Sequence, residues 1–328
     1  MASRVVETLD APAWLQLPRR TFRENMYVQF SPTLPLIVED TVKEKIFFDT
    51  RQDITVGMEA FYEHLIADDV DYFALKPEYA TGFHAMLEAL NQQSTINEAQ
   101  YVKGQITGPI SFGLTVTDQD LRASIYNEML ADAIVKNAAM NTRWQVRQLK
   151  SDHPNVIIFV DEPYMASFGS AFINLSREQV IAMLNEVFDA IHAEGALAGV
   201  HCCANTDWGV MMETKVDILN LDAYSYIENL ALYPSDLRTF LDRGSAIAWG
   251  IVPNNEEIYR VTGEVLVQRL HDGIRLVTAK AARHEVTISP VEFANRSLVT
   301  PVCGLGSTTV EIAEKTFDIL AETGKLLK

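Results

Sequence analysis

Cysteine, positive charge and long apolar runs are all scarce in this 328-residue chain. Only three cysteines occur, two of them adjacent at 202 and 203, which is a poor basis for a disulfide framework. No secretory leader is legible, so the expected location is cytoplasmic, where thiols stay reduced. Lysine and arginine together number 27 against 44 aspartates and glutamates, a net charge of −17. That balance argues against nucleic acid and anionic membranes as partners, because both require basic patches. No run of about 18 apolar residues appears, so no membrane span is expected. Pro/Gly/Ser-rich linkers, low-complexity tracts and short repeats are also missing, and residues 1–328 therefore read as a single domain.

Short apolar runs alternate with longer helical patterns, as in a parallel sheet wrapped by helices. Strands are expected at Tyr72–Leu75, Val102–Thr107, Val156–Asp161, Leu197–Cys203, Ile218–Asp222, Ala246–Val252 and Leu298–Val302. Helices are expected over Arg122–Lys150, Arg177–Ala193 and Val261–Arg283. A last helix should start at Thr308, capped by Ser307, with Val310, Ala313, Phe317 and Leu320 on its apolar face. Leu36–Asp40 and Lys45–Asp49 read as a hairpin outside the main sheet. The fold class is thus α/β, and the spacing suits a (β/α)8 TIM barrel of about this length.

All three cysteines lie at the ends of expected strands, in His201-Cys202-Cys203 and Pro301-Val302-Cys303. Strand alternation puts His201 and Cys203 on one face and Cys202 on the other. Inert core thiols are the plain alternative. A His-x-Cys pair with a third soft donor a hundred residues on suits zinc better, since zinc takes imidazole and thiolate ligands tetrahedrally. Other polar residues gather at strand ends too. By alternation Asp161 looks inward, as do Asn220 and Asp222, while Glu162 looks outward or into the following loop.

These residues carry a resemblance. His201-x-Cys203-x-Asn205-Thr206, Asp217-Ile-Leu-Asn-Leu-Asp222 and Thr300-Pro-Val-Cys303-Gly304 resemble the zinc segments of the cobalamin-independent methionine synthase and uroporphyrinogen decarboxylase-like superfamily. Val160-Asp161-Glu162-Pro163 and Thr107-Gly108-Pro109 are similar to the same group. The likeness runs from about Tyr101 to Lys328, and the earlier segment Leu17–Met26 resembles its single-barrel members.

The resemblance implies a zinc site of His201, Cys203 and Cys303 with a fourth carboxylate at Asp222, where the synthases usually carry glutamate. A carboxylate capping loop amides is the other reading of Asp222. It implies Asp161, and more weakly Glu78, as ligands of the homocysteine amino group; Arg19, Arg20 and Arg23 read as a solvated basic face or an anion contact.

The reaction implied is methyl transfer to homocysteine, giving methionine. Three departures refine it. The synthases have a second, N-terminal barrel that helps hold folate. They carry a histidine near the position where this chain has Asn254 and Asn255. They also open with a strand bearing a Gly-Ser turn that meets the substrate carboxylate, and nothing before Trp14 resembles it, so the first strand is expected to be missing or replaced. The first two departures point to methylcobalamin or a methyl-corrinoid protein as donor. The alternatives are a methyl-corrinoid:coenzyme M or other thiol methyltransferase and, from another class, a non-catalytic zinc-stabilised binding protein.

Overall fold

The computed structural model describes residues 1–92, 99–171 and 173–328. The chain forms two compact units, one of Met1–Tyr164 with Glu178–Ala198 and one of Met165–Arg177 with Gly199–Lys328.

In the first unit a helix over Ala2–Thr8 precedes an antiparallel hairpin, β1 (Ile37–Asp40) and β2 (Lys45–Phe48), in register from Ile37 opposite Phe48 to Asp40 opposite Lys45. The expected hairpin is therefore present. Its turn is fixed by Asp40, whose Oδ1 accepts from the Val42 and Lys43 amides at 3.2 and 3.0 Å. The unit's core is a parallel pair, β3 (Val102–Thr107) and β4 (Val156–Asp161), with Thr107 opposite Asp161. Both strands have the bounds expected. They are buried on both faces, which is why they read as nearly continuous apolar runs. The crossover between them is the helix Glu128–Lys150, which starts six residues later than expected because Asn127 accepts from Met129 and Leu130 and sets the cap there.

The expected strand at Tyr72–Leu75 does not form. Val70–Phe73 is a 3-10 turn, held by aromatic packing of Phe73 on Phe61 and of Tyr72 on His64. The Phe73 carbonyl accepts from the Asn141 side chain at 3.0 Å instead of from a strand neighbour. On that side of β3 there is a single parallel bridge, Ala13 to Lys103, with the Trp14 amide donating to the Lys103 carbonyl.

The second unit is built on four parallel strands. β5 (Leu197–Cys202) contributes its residues from Gly199 onward, followed by β6 (Ile218–Leu221), β7 (Ala246–Val252) and β8 (Ser297–Pro301), each paired with the next. β7 matches expectation; β5 and β6 end one residue earlier, and β8 is shifted one residue back. Trp249 on β7 is fully buried, packs edge-on against Phe293, and donates its indole N–H to Ser297 at 2.7 Å.

The helix Gly263–Ala282 is capped by Thr262. The last helix, Val310–Leu326, begins two residues later than expected, since Thr309 rather than Ser307 caps it through the Ile312 amide. Its buried face is Thr316, Phe317, Ile319 and Thr323, and Val310 is exposed.

The described residues thus contain six parallel strands rather than eight, each pair joined by a crossover containing helix, in an α/β architecture. Among them no helix is long and apolar enough to cross a membrane.

Candidate metal centre

Alternation along β5 buries Cys202 completely and leaves His201 and Cys203 half-buried on the other face. Cys303 follows β8. The Val302 amide donates to the Val252 carbonyl at 2.9 Å, carrying the chain past the end of β7 and over a bulge at Gly250. Gly250 is required there: a Cβ would stand 2.6 Å from the Leu221 carbonyl oxygen and 3.1 Å from Val302 Cα. Asn254 then holds the next turn, its amide donating to the Gly304 carbonyl at 3.1 Å.

The result is that one donor atom each from His201, Cys203 and Cys303 lies within 4.8 Å of the other two. One imidazole and two thiols at that spacing can hold a thiophilic metal ion.

The imidazole is oriented by a buried amide. His201 Nδ1 is 2.7 Å from Asn220 Oδ1, its partner in register on β6. Asn220 Nδ2 donates to the Ala248 carbonyl at 2.7 Å and to Thr300 Oγ1 at 2.9 Å. A backbone carbonyl accepts only, so the amide can face just one way, with its oxygen toward His201. Nδ1 therefore carries the proton, and the buried Nε2 carries the lone pair that a metal would use.

Cys203 is held far below the ordinary thiol range, chiefly by its hydrogen bond with Cys303 and further by the neighbouring His201, against the opposing effect of burial. Replacing Asn220 with alanine is expected to weaken metal affinity roughly tenfold to a hundredfold, because an outer partner that fixes the tautomer and ring orientation is lost. Titration of zinc against a chelating dye measures this, and an unchanged affinity would show that Asn220 does not orient the ligand.

Asp222, expected as a fourth ligand, lies outside this donor group. It is the N-cap of the short helix Ala223–Tyr226, with Oδ1 accepting from the Ser225 amide at 2.9 Å. Asp161 ends β4 in the first unit, half-buried, and its carbonyl accepts from the Gly108 amide at 2.8 Å. Glu78, also in that unit, is exposed. Of the arginines read as a cluster, Arg20 pairs with Glu24 at 2.8 Å and Arg23 with Glu39 at 2.7 Å.

Glu162 is fully buried and accepts from the Ile110 amide (3.0 Å), the Ser111 amide (2.7 Å) and Ser111 Oγ (2.6 Å). Burial pushes its pKa up to about 7 against those three donors. Gly108 makes room for it, since a Cβ there would stand 2.2 Å from Oε1.

The orienting role of Asn220 was not read from the sequence. Its signal was a lone amide inside the apolar strand Ile218–Leu221, where burial demands partners for every polar atom. Compared with protein-family models and with curated proteins, the chain matches none.

Proposed function

We propose that this chain is a zinc-dependent methyltransferase on a (β/α)8-type scaffold, moving a methyl group from methylcobalamin or a methyl-corrinoid protein to the homocysteine thiolate and giving methionine. The observation that carries this reading is the group of His201, Cys203 and Cys303, three soft donors with no fourth side chain among the described residues completing the set. A purely structural zinc site takes four protein ligands, whereas a catalytic one keeps a position open. The donor set fits, since zinc bonds sulfur at about 2.3 Å and a tetrahedral shell spaces its ligand atoms by roughly 4 Å.

Bound there, zinc would supply a substrate thiol held as thiolate at neutral pH and still nucleophilic, because two protein thiolates already offset the metal charge. Asn220 holds His201 in the neutral tautomer that such a site needs. The substrate sulfur attacks the methyl carbon; the new S–C bond forms as the cobalt–carbon bond breaks, its electron pair staying on cobalt(I). The thiol proton leaves to solvent. A corrinoid leaving group needs no acid, and the two residues after Pro253 at the end of β7 are amides that donate no proton: Asn254 is bonded to the Gly304 carbonyl, and Asn255 accepts from the Glu257 amide at 2.9 Å.

Incubating the zinc-loaded protein with methylcobalamin and either homocysteine or coenzyme M tests the proposal by loss of methyl–cobalt absorbance and identification of the thioether. Methionine is expected. Turnover with methyltetrahydrofolate and none with methylcobalamin would reject the donor, a coenzyme M product would reject the acceptor, and no transfer would favour a binding protein.

A further inference from the structure

The two sulfurs that would hold a metal are also placed to bond to each other. Cys203 and Cys303 are reduced and half-buried, and both belong to the second unit. Their sulfurs lie within 4.8 Å of one another and share a hydrogen bond. A disulfide needs a separation of about 2.05 Å, so the gap to be closed is less than about 3 Å, divided between two side chains.

The chain around each cysteine has room to give way. Cys203 is the first residue past β5 and Cys303 the second past β8, so neither lies within a strand. A Cβ built on Gly304, the neighbour of Cys303, meets nothing within 4 Å, and that side is therefore open. Cys202 offers no rival partner. It is completely buried, and successive residues of a strand point to opposite faces.

We propose that Cys203 and Cys303 are a reversible oxidation site, forming a disulfide with hydrogen peroxide as the oxidant when no metal occupies them. One sulfur attacks a peroxide oxygen; the S–O bond forms as the O–O bond breaks, and the departing hydroxide takes up the thiol proton as water. The second sulfur then attacks the first. The S–S bond forms as the S–O bond breaks, and a second water leaves with the second thiol proton. Two thiols are oxidised by two electrons, and one peroxide is reduced to two waters.

The disulfide removes two of the three donors and leaves a lone imidazole, so disulfide and metal exclude each other. A bound metal engages both sulfurs and shields them in turn. The oxidation site goes beyond methyl transfer and requires only the two sulfurs, whereas the exclusion of zinc rests on the metal-centre reading.

The test is treatment of the metal-free full-length chain with a slight excess of hydrogen peroxide, followed by thiol counting in denaturant and mass mapping of the unreduced digest. The count should fall from three to one, with a cross-link joining the peptides of Cys203 and Cys303. Dithiothreitol should restore the lost thiols and, with them, zinc uptake. Cys202→Ser should still form the cross-link, and Cys303→Ser should form none within the chain; the wild-type map decides even where Cys303→Ser does not fold.

A cross-link between Cys202 and Cys203, oxidation to separate sulfinic acids, or survival of all three thiols overturns the inference. Zinc-loaded protein should keep its metal and its thiols over the time in which the metal-free chain is fully oxidised. Equally fast disulfide formation after zinc loading would keep the oxidation site and reject the metal centre. Zinc binding without any disulfide in the metal-free chain would do the reverse.

Discussion

Replacing Cys203 or Cys303 with serine is expected to strip zinc from the protein, whereas the same change at the adjacent Cys202 leaves it bound. The first two sulfurs belong to the three-donor group, and a serine hydroxyl at neutral pH is a poor substitute for thiolate. Each should lower affinity by more than the roughly hundredfold that losing an outer hydrogen-bond partner costs. Cys202 is fully buried on the opposite face of β5, so Cys202→Ser acts on stability, by about 1–3 kcal/mol for a hydroxyl placed in an apolar setting. Metal analysis after dialysis against a chelator, together with thermal melts, separates the two effects. Equal metal loss in all three variants would overturn the assignment of faces.

The second large effect concerns pH and Glu162. Its carboxyl titrates near 7 in the folded chain against an ordinary value of 4.5. Below the lower value the group is protonated in both states and costs nothing. As pH rises from about 4.5 to about 7 the unfolded chain releases the proton while the folded chain retains it, so stability falls; above that window the loss is complete. The size is about 3 kcal/mol.

Glu162→Gln should remove this slope. It also places an amide among the donors of Ile110 and Ser111, costing about 1–3 kcal/mol at every pH. Urea melts of both proteins across that range measure the difference in slope. Parallel curves would mean that the three donors keep Glu162 ionised throughout.

Alternation and apolar runs were sufficient to locate β3, β4 and β7 to the residue and to separate Cys202 from its neighbours, because a strand buried on both faces leaves a long unbroken signature. The same signature misled at Tyr72–Leu75. Aromatic residues have strand propensity, but here Phe73 and Tyr72 are satisfied by packing on Phe61 and His64, and the backbone turns. Cap positions were also off by two residues at the last helix, where Ser307 and Thr309 offer chemically similar hydroxyls and only geometry chooses between them.

The three soft donors were legible because the residue types are rare and the spacing is specific. Asn220 was not, since its importance comes from partners on three other segments, His201, Ala248 and Thr300, which no local pattern brings together.

The distribution of that donor set along the chain has a consequence for biosynthesis. His201 and Cys203 emerge from the ribosome long before Cys303, and the amide that orients the histidine also leans on Thr300 of β8. A nascent chain arrested before β8 would offer only two of the three donors, His201 and Cys203, with the Asn220 amide held by the Ala248 carbonyl but not yet by Thr300. An ion held by all three donors could be taken up only after β8 had been laid down, and its occupancy would then record that synthesis ran past that strand.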